Sequence, residues 1–201
     1  MNRLFIGFLT VFFSVTAIAQ NLVERLGVNE NLEFNNTTYK LSWTAKPNDN
    51  YIIQEYLPEG ESLDHFNQMM TIHLFLTDIK CKDAVYKKVN ELITRKKYDS
   101  TCNYQVNESV DGKEFLIDFL LGENKDNKMT IVEFNVYRYK QIQISSKQNA
   151  IIVYAYTKRG YGNDITTFFE TLENEKINYL KRMFSTKIPT VTIENKQNDP
   201  C

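Results

Sequence analysis

The sequence is poor in glycine and proline, with 7 and 4 residues in a chain of 201. Disordered segments and interdomain linkers are usually rich in such residues, so their scarcity argues against both. The chain also lacks a G-x-S-x-G nucleophile elbow, a P-loop and a Rossmann glycine pattern. We find no internal repeat or low-complexity tract. These absences predict one folded domain without a cofactor.

An excess of charge of either sign is also missing. The chain has 24 Lys and Arg against 25 Asp and Glu, which gives a formal net charge of -1. Nucleic-acid-binding domains usually carry a clustered basic surface, because phosphate contacts supply much of their affinity. The composition therefore favours partners other than nucleic acid.

Cysteine is scarce, and the spacing of Cys81, Cys102 and Cys201 differs from the close pairs of a zinc site. Cys81 and Cys102 are a candidate disulfide pair. A helix predicted between them carries the chain roughly 22 Å away at about 1.5 Å per residue, so a bridge would need a sharp return. Two buried thiols are the alternative. Cys201 is expected to be free or paired between molecules.

A targeting segment is present at the N-terminus. Arg3 precedes an apolar run over residues 4–15, and Ala17 and Ala19 form an A-x-A cleavage pattern. The run is shorter than the roughly 20 residues of a membrane span, and no lipid-attachment cysteine follows it. We therefore predict a cleaved signal peptide over 1–19 and no membrane span after cleavage. The mature chain would be periplasmic or secreted, with a single α+β domain over 20–185 and an extended or disordered tail over 186–201.

Periodicity predicts that strands are grouped between helices. Asp111-Gly112 lies between two alternating runs and indicates a hairpin. The predicted strands cover 39–45, 51–57, 71–77, 103–110, 113–121, 129–139 with an extension to 144, and 150–158. Long helices are expected over 83–98 and from 163 or 164 to 184, with a short helix over 62–70 and one helical turn over 22–27.

This order indicates an α+β fold with a mainly antiparallel sheet of about six or seven strands, two long helices and one short helix. We expect the long helices to cover one face of the sheet. The element order resembles that of the Mog1/PsbP-like α/β/α sandwiches. The resemblance rests on element order alone and implies no function.

Alternation along the strands predicts two unlike faces. One is an apolar core face that includes Phe115, Val132, Phe134, Val136 and Val153. The other mixes carboxylates, amides and tyrosines, which suits a polar ligand because tyrosine combines apolar area with a hydroxyl group. The candidate ligand-binding residues are Gln105, Asp118, Glu133, Asn135, Tyr137, Tyr154 and Tyr156. The alternative is an ordinary half-solvated sheet face.

A second candidate site surrounds the two histidines. Glu55, His65 and His73 offer carboxylate and imidazole groups, which bind metals or transfer protons. However, His65 and His73 are eight residues apart on different predicted elements, and no HExxH motif occurs. A solvated acidic loop explains the same residues.

These observations favour an exported, non-catalytic binding or accessory protein of the cell envelope. Its partner would be a polar small molecule or an envelope protein. One alternative is an envelope hydrolase or metal-dependent enzyme that uses the region from Glu55 to His73. Another is a structural or chaperone-like protein that uses its last helix as an interface.

Overall fold

A computed structural model describes residues 22–28 and 31–193. The predicted signal peptide and Cys201 lie outside the described residues. The elements, in chain order, are β1 (Asn31–Phe34), β2 (Thr37–Asn48), β3 (Tyr51–Leu57), β4 (Gln68–Leu76), α1 (Cys81–Arg95), β5 (Asn103–Glu108), β6 (Glu114–Lys125), β7 (Lys128–Ser145), β8 (Gln148–Tyr161), a 3₁₀ helix (Gly162–Asp164) and α2 (Ile165–Ser185).

All eight strands belong to one antiparallel sheet in the order β1-β2-β3-β4-β8-β7-β6-β5. The α+β class and the antiparallel sheet are therefore confirmed, with more strands than predicted. The added strand is β1, which is only four residues long.

Two tight turns of Asn and Asp residues explain why strands extend further than expected. Asn35 and Asn36 have φ of 51° and 61°, and Asp126 and Asn127 have φ of 53° and 59°. Such residues tolerate positive φ, which two-residue hairpin turns of type I′ require. Pairing therefore continues up to each turn, and the polar loop predicted over 122–128 is instead the tip of the β6–β7 hairpin.

The two long helices pack on opposite faces of the sheet, so the expectation that both cover one face is wrong. Phe168 and Met183 of α2 pack in one hydrophobic cluster with Ile152 of β8. Val85 of α1 packs in a second cluster with Val153, the next residue of β8. Successive side chains of a strand point to opposite faces. We call these surfaces the α2 face and the α1 face.

The β3–β4 connection also differs from the prediction, because the short helix expected over 62–70 is absent. Ser62 and His65 form an isolated bridge, and β4 begins at Gln68. The Glu61 carboxylate accepts hydrogen bonds from the backbone N–H of Asn67 at 2.8 Å and of Gln68 at 3.1 Å. Cross-strand pairing of Met69 and Met70 with β8 then holds this segment extended.

The segments that flank the sheet pack against each other on the α2 face. Residues 22–27 form no helix, which corrects the predicted helical turn. Thr192 N–H donates to Leu26 O at 2.7 Å, and both Leu26 and Val191 are buried. Residues 186–193 thus lie against the domain without regular secondary structure.

Cys81 and Cys102 are free, buried thiols, so the candidate disulfide is not formed. Cys81 is the first residue of α1, whereas Cys102 Sγ lies 3.5 Å from Leu92 O. Leu92 lies about 16 Å along the helix from Cys81 at about 1.5 Å per residue, beyond the ~7 Å Cα separation that a disulfide spans.

Over residues 22–28 and 31–193, no helix combines the length and the apolar character needed to cross a membrane.

Candidate functional site

The seven predicted ligand-binding residues do not share one face, which corrects the sequence prediction. Asp118 pairs with Val136, and Ile117 pairs with Tyr137. Odd-numbered residues of β6 therefore lie beside odd-numbered residues of β7. The α2 face has Gln105, Asp118, Tyr154 and Tyr156, and the α1 face has Glu133, Asn135 and Tyr137.

A β-bulge near the tip of the β6–β7 hairpin explains the error. Asn124 pairs with Met129, but Glu123 pairs with Ile131, so Thr130 has no partner in the ladder. One extra residue shifts the register by one, and such a shift moves every following side chain to the other face. Without the bulge, Val132, Phe134 and Val136 would lie beside Phe115 and Ile117, as the sequence suggested.

The candidate residues on the α2 face belong mainly to the core. Tyr154 and Tyr156 are buried, and the Tyr156 hydroxyl donates to Gln68 Oε1 at 3.3 Å. Asp118 is buried beneath α2 and forms an ion pair with Lys176. Burial raises the pKa of Asp118, and Lys176 acts in the opposite direction. Gln105 is the exposed member of this group.

The candidate residues on the α1 face join a hydrogen-bonded chain across β7 and β8. Thr157 Oγ1 donates to Asn135 Oδ1 at 2.8 Å, and Asn135 Nδ2 donates to Glu133 Oε1 at 2.8 Å. Arg159 Nε donates to the other oxygen of Glu133 at 2.5 Å. Each polar group on this part of the face is therefore held in place by its neighbour.

The three predicted metal-binding residues are only partly brought together. Glu55 and His73 lie on neighbouring strands of the α1 face, where Glu55 pairs with Thr71. His65 instead stacks on Tyr161, with ring centroids 4.2 Å apart. His73 pairs with Val153, eight residues before Tyr161 on β8, which is about 26 Å along a strand. No group of three or more metal-binding side chains occurs in the described part of the chain.

Glu55 has an unusual environment. It is partly buried, and its carboxylate makes no hydrogen bond or ion pair with any described residue. Burial raises its pKa from 4.5 to about 7, although Arg159 acts to lower it. Trp43 is its cross-strand partner on β2, so the two side chains are direct neighbours on the α1 face.

The charge of Glu55 acts on two tyrosines of the α1 face that are not its direct neighbours in the sheet: Tyr51 lies four residues earlier on β3, and Tyr137 lies on β7, three strands away. Burial raises the pKa of Tyr51, and the charge of Glu55 raises it further. Burial also raises the pKa of Tyr137, with Glu133 and Glu55 among the charges that add to it. The Tyr51 hydroxyl oxygen lies 2.9 Å from His73 Nδ1. We call Trp43, Tyr51, Glu55, His73 and Tyr137 the Glu55 cluster.

The other charges around the cluster are compensated in pairs. Glu133 pairs with Arg159 at 2.5 Å, and Glu91 pairs with Lys88 at 3.6 Å. Lys88 Nζ also lies over the Tyr137 ring, 5.5 Å from its centroid. Burial lowers the pKa of Lys88, and Glu91 opposes that effect. Glu55 is thus the carboxylate left without a cationic partner in this group.

Two elements border the cluster. Helix α1 packs over β6 and β7, where Val85 and Leu92 meet Phe115, Ile117 and Phe119. On the other side, the β3–β4 connection places Phe66 under Arg159, whose guanidinium lies 4.1 Å from the ring centroid. Trp43 and Glu55, both partly buried, lie on the same face of the sheet as α1.

Sequence reasoning did not single out Trp43, Lys88 or Arg159. Alternation along the predicted strand places Trp43 on the same face as Leu41, which is wrong, because a bulge in β2 between them moves Trp43 to the α1 face beside Glu55. Lys88 and Arg159 resemble ordinary surface cations in the sequence. Their positions beside Glu133 and Tyr137 follow only from the packing of α1 and β8.

A protein-family model matches residues 26–188. The match covers more than half of the chain and runs from the segment before β1 to just beyond α2, so the protein belongs to this family. No curated protein matches the chain. The comparisons assign no activity, and the functional argument rests on the geometry of the site.

Proposed function

We propose that this protein is an exported, non-catalytic binding domain that takes a small polar ligand at the Glu55 cluster. The observation that carries the proposal is the Glu55 carboxylate, which is partly buried beside Trp43 and has no polar partner among the described residues. Export is supported by the signal-peptide pattern over 1–19.

Burial of a carboxylate has a cost in free energy. A charged group withdrawn from water is destabilising unless a hydrogen bond or an opposite charge compensates it. The side chains around Glu55 are already engaged with one another: Tyr51 with His73, Arg159 with Glu133, and Lys88 with Glu91. A ligand that supplies the missing partner would recover this cost, which favours binding at this point.

The surroundings suit recognition of a small molecule. Small-molecule sites are mostly apolar and aromatic, with a few fixed polar groups that determine orientation. Trp43 provides the aromatic surface beside Glu55, which provides the polar anchor, and Tyr51 and Tyr137 lie farther away on the same face. The hydrogen bonds through Asn135, Glu133 and Arg159 hold the neighbouring strands rigidly.

An NMR titration tests the proposal. The isotope-labelled mature domain is titrated with the fraction of host envelope extract below about 1 kDa, a mass range of typical small ligands. We expect chemical-shift changes centred on Trp43, Glu55 and His73, which are lost in a Trp43→Leu/Glu55→Gln variant. Glu173→Gln, an exposed substitution on α2, is the matched control. Changes confined to other surfaces, or retained in the double variant, would contradict the proposal.

An acid–base enzyme is a second candidate, favoured by the raised pKa of Glu55. A carboxyl group that titrates near neutral pH is suited to general acid–base catalysis. The test is a panel of chromogenic ester, glycoside and peptide substrates. Turnover that is abolished by Glu55→Gln and retained by Glu173→Gln would replace the binding proposal with a hydrolase.

We also propose the finer assignment to the Mog1/PsbP-like sandwiches. The placement of α1 and α2 on opposite faces of the sheet supports it. Superposition of an experimental structure on members of that group would test it, and a different strand order in those members would contradict it.

A further inference from the structure

We infer that the ligand of the Glu55 cluster is a small organic cation, either an amine or a quaternary ammonium compound. This inference rests on the proposed function and adds the chemical class of the ligand. It follows from the charge and the aromatic surface that the fold places together on the α1 face.

The other charges around Glu55 form ion pairs within the protein. Arg159 is held by Glu133 at 2.5 Å, and Lys88 lies 3.6 Å from Glu91. Each pair contributes no net charge. Glu55 remains as the negative group of the cluster, and the attraction between its carboxylate and a positively charged ligand would offset the cost of desolvating both charges.

Glu55 has an aromatic neighbour on the adjacent strand. Trp43 lies directly across from it on β2, and indole is the best of the aromatic faces for attracting a cation. Tyr51, about 13 Å from Glu55 along β3, stacks against Phe75 with centroids 4.6 Å apart and nearly parallel planes. Carboxylates and aromatic faces together are the usual surroundings of a recognised organic ammonium group.

The protein already uses this interaction next to the cluster. Lys88 Nζ lies over the rings of Phe119 and Tyr137, at 4.9 and 5.5 Å from their centroids. This contact shows that a desolvated ammonium group is accommodated on the α1 face. The cation we propose would take an equivalent place on the side of Glu55 and Trp43.

The experiment uses choline and its neutral isostere 3,3-dimethylbutan-1-ol, with putrescine as a primary-amine probe. The chain has one tryptophan among 12 tyrosines, so fluorescence excited at a wavelength that tyrosine does not absorb reports on Trp43 alone. At pH 8 the Glu55 carboxyl group is mainly ionised, because its pKa is about 7. We expect choline or putrescine to bind about tenfold more tightly than the neutral alcohol, as a desolvated cation–π contact implies.

The variants separate the two proposals. Glu55→Gln keeps the side-chain shape and should weaken binding of the cation by about tenfold while leaving the neutral alcohol unchanged. Glu173→Gln should change neither, and circular dichroism verifies that both variants are folded. Equal affinity for cation and alcohol, or no response to either cation, would overturn the cation inference. The proposed binding function would survive that result if the extract titration still shifts Trp43 and Glu55.

Discussion

The hydroxyl oxygen of Tyr51 lies 2.9 Å from Nδ1 of His73, and this contact joins β3 to β4 at the edge of the Glu55 cluster. The imidazole is buried, and Tyr51 and Phe75 stack on the same side of the sheet. Burial lowers the pKa of His73 from 6.5 to about 3, and the charge of Lys88 acts in the same direction. His73 is therefore a neutral, structural residue at physiological pH.

Acid should destabilise the protein through His73. The unfolded chain binds a proton at this position below about pH 6.5, whereas the folded chain does not until about pH 3. The contribution of His73 to the free energy of unfolding is thus fully present above pH 6.5. Between pH 6.5 and about pH 3 it falls by at most about 1.4 kcal/mol for each unit by which the pH drops. Urea denaturation of wild type and His73→Leu should show a shallower slope for the variant. NMR titration of the ring with a midpoint near pH 6.5 would contradict the prediction.

Glu55 should have the opposite dependence. Its folded pKa is raised to about 7 from 4.5, so its neutral form is stabilising below pH 4.5 and this contribution is lost as the pH rises through 7. We expect Glu55→Gln to be more stable than wild type at pH 8 by about 1–3 kcal/mol, with the gap closing near pH 4. Glu173→Gln serves as the control. An equal gap at pH 4 and pH 8 would show that charge burial is not the cause.

The buried thiols should be unreactive in the native protein. Burial raises the pKa of Cys81 to about 11, and it also raises that of Cys102, so little thiolate forms at pH 8. In a Cys201→Ser background, iodoacetamide should label neither cysteine before unfolding and both after unfolding in guanidinium. A chain that remains unlabelled after unfolding, with a mass two daltons lower, would establish a disulfide instead.

Arg138 should be a major contributor to the docking of α2. Its Nη1 donates to Met183 O at 3.0 Å and Thr186 O at 2.7 Å, and its Nε donates to Glu114 at 2.7 Å. Arg138→Ala removes all three bonds and should lower the free energy of unfolding by about 2–4 kcal/mol. Arg182→Ala, at an exposed position of the same helix, should change it by less than about 0.5 kcal/mol. Similar losses in the free energy of unfolding for Arg138→Ala and Arg182→Ala would contradict the role of Arg138 in docking α2.

Gly27 should be required for the contact between the segments that precede and follow the sheet, residues 22–28 and 186–193. Its φ is +61°, and an added Cβ would lie 1.8 Å from Thr192 Oγ1. Gly27→Ala therefore combines a backbone cost of about 1–2 kcal/mol with a steric clash. Gly60→Ala has the backbone cost alone, because no atom lies within 4 Å of its added Cβ. Chemical denaturation should show a larger loss in the free energy of unfolding for Gly27→Ala than for Gly60→Ala. The double variant Gly27→Ala/Thr192→Ala should recover part of that loss. Equal losses in Gly27→Ala and Gly60→Ala would contradict the close approach of Gly27 to Thr192.

The predictable parts of the fold are those determined by local patterns. The strand over 51–57 agrees with β3 residue for residue, because Pro58 and Gly60 interrupt pairing after an alternating run. The hairpin at Asp111-Gly112 and both long helices also follow from turn chemistry and helical periodicity. Strand β1 was missed because four residues give too short a pattern.

The candidate site was less predictable, because one unpaired residue changes which side chains meet. The bulge at Thr130 moves Glu133, Asn135 and Tyr137 away from Asp118 and towards α1. Nothing in the local alternation of β7 reveals it. The pairing of Glu55 with Trp43 likewise depends on a bulge in β2.

The amino-acid sequence alone determined the two long helices, most strands and the pattern of an N-terminal signal peptide, because these depend on residues near one another in the chain. Only the tertiary structure decided that α1 and α2 cover opposite faces, and that Glu55 lies beside Trp43 without an ion-pair partner among residues 22–28 and 31–193. The physical reason is that register and helix docking depend on contacts between distant residues. Consecutive side chains of β8 are buried, so the pattern of this strand is compatible with a helix on either face of the sheet. Packing of α1 and α2 covers both faces.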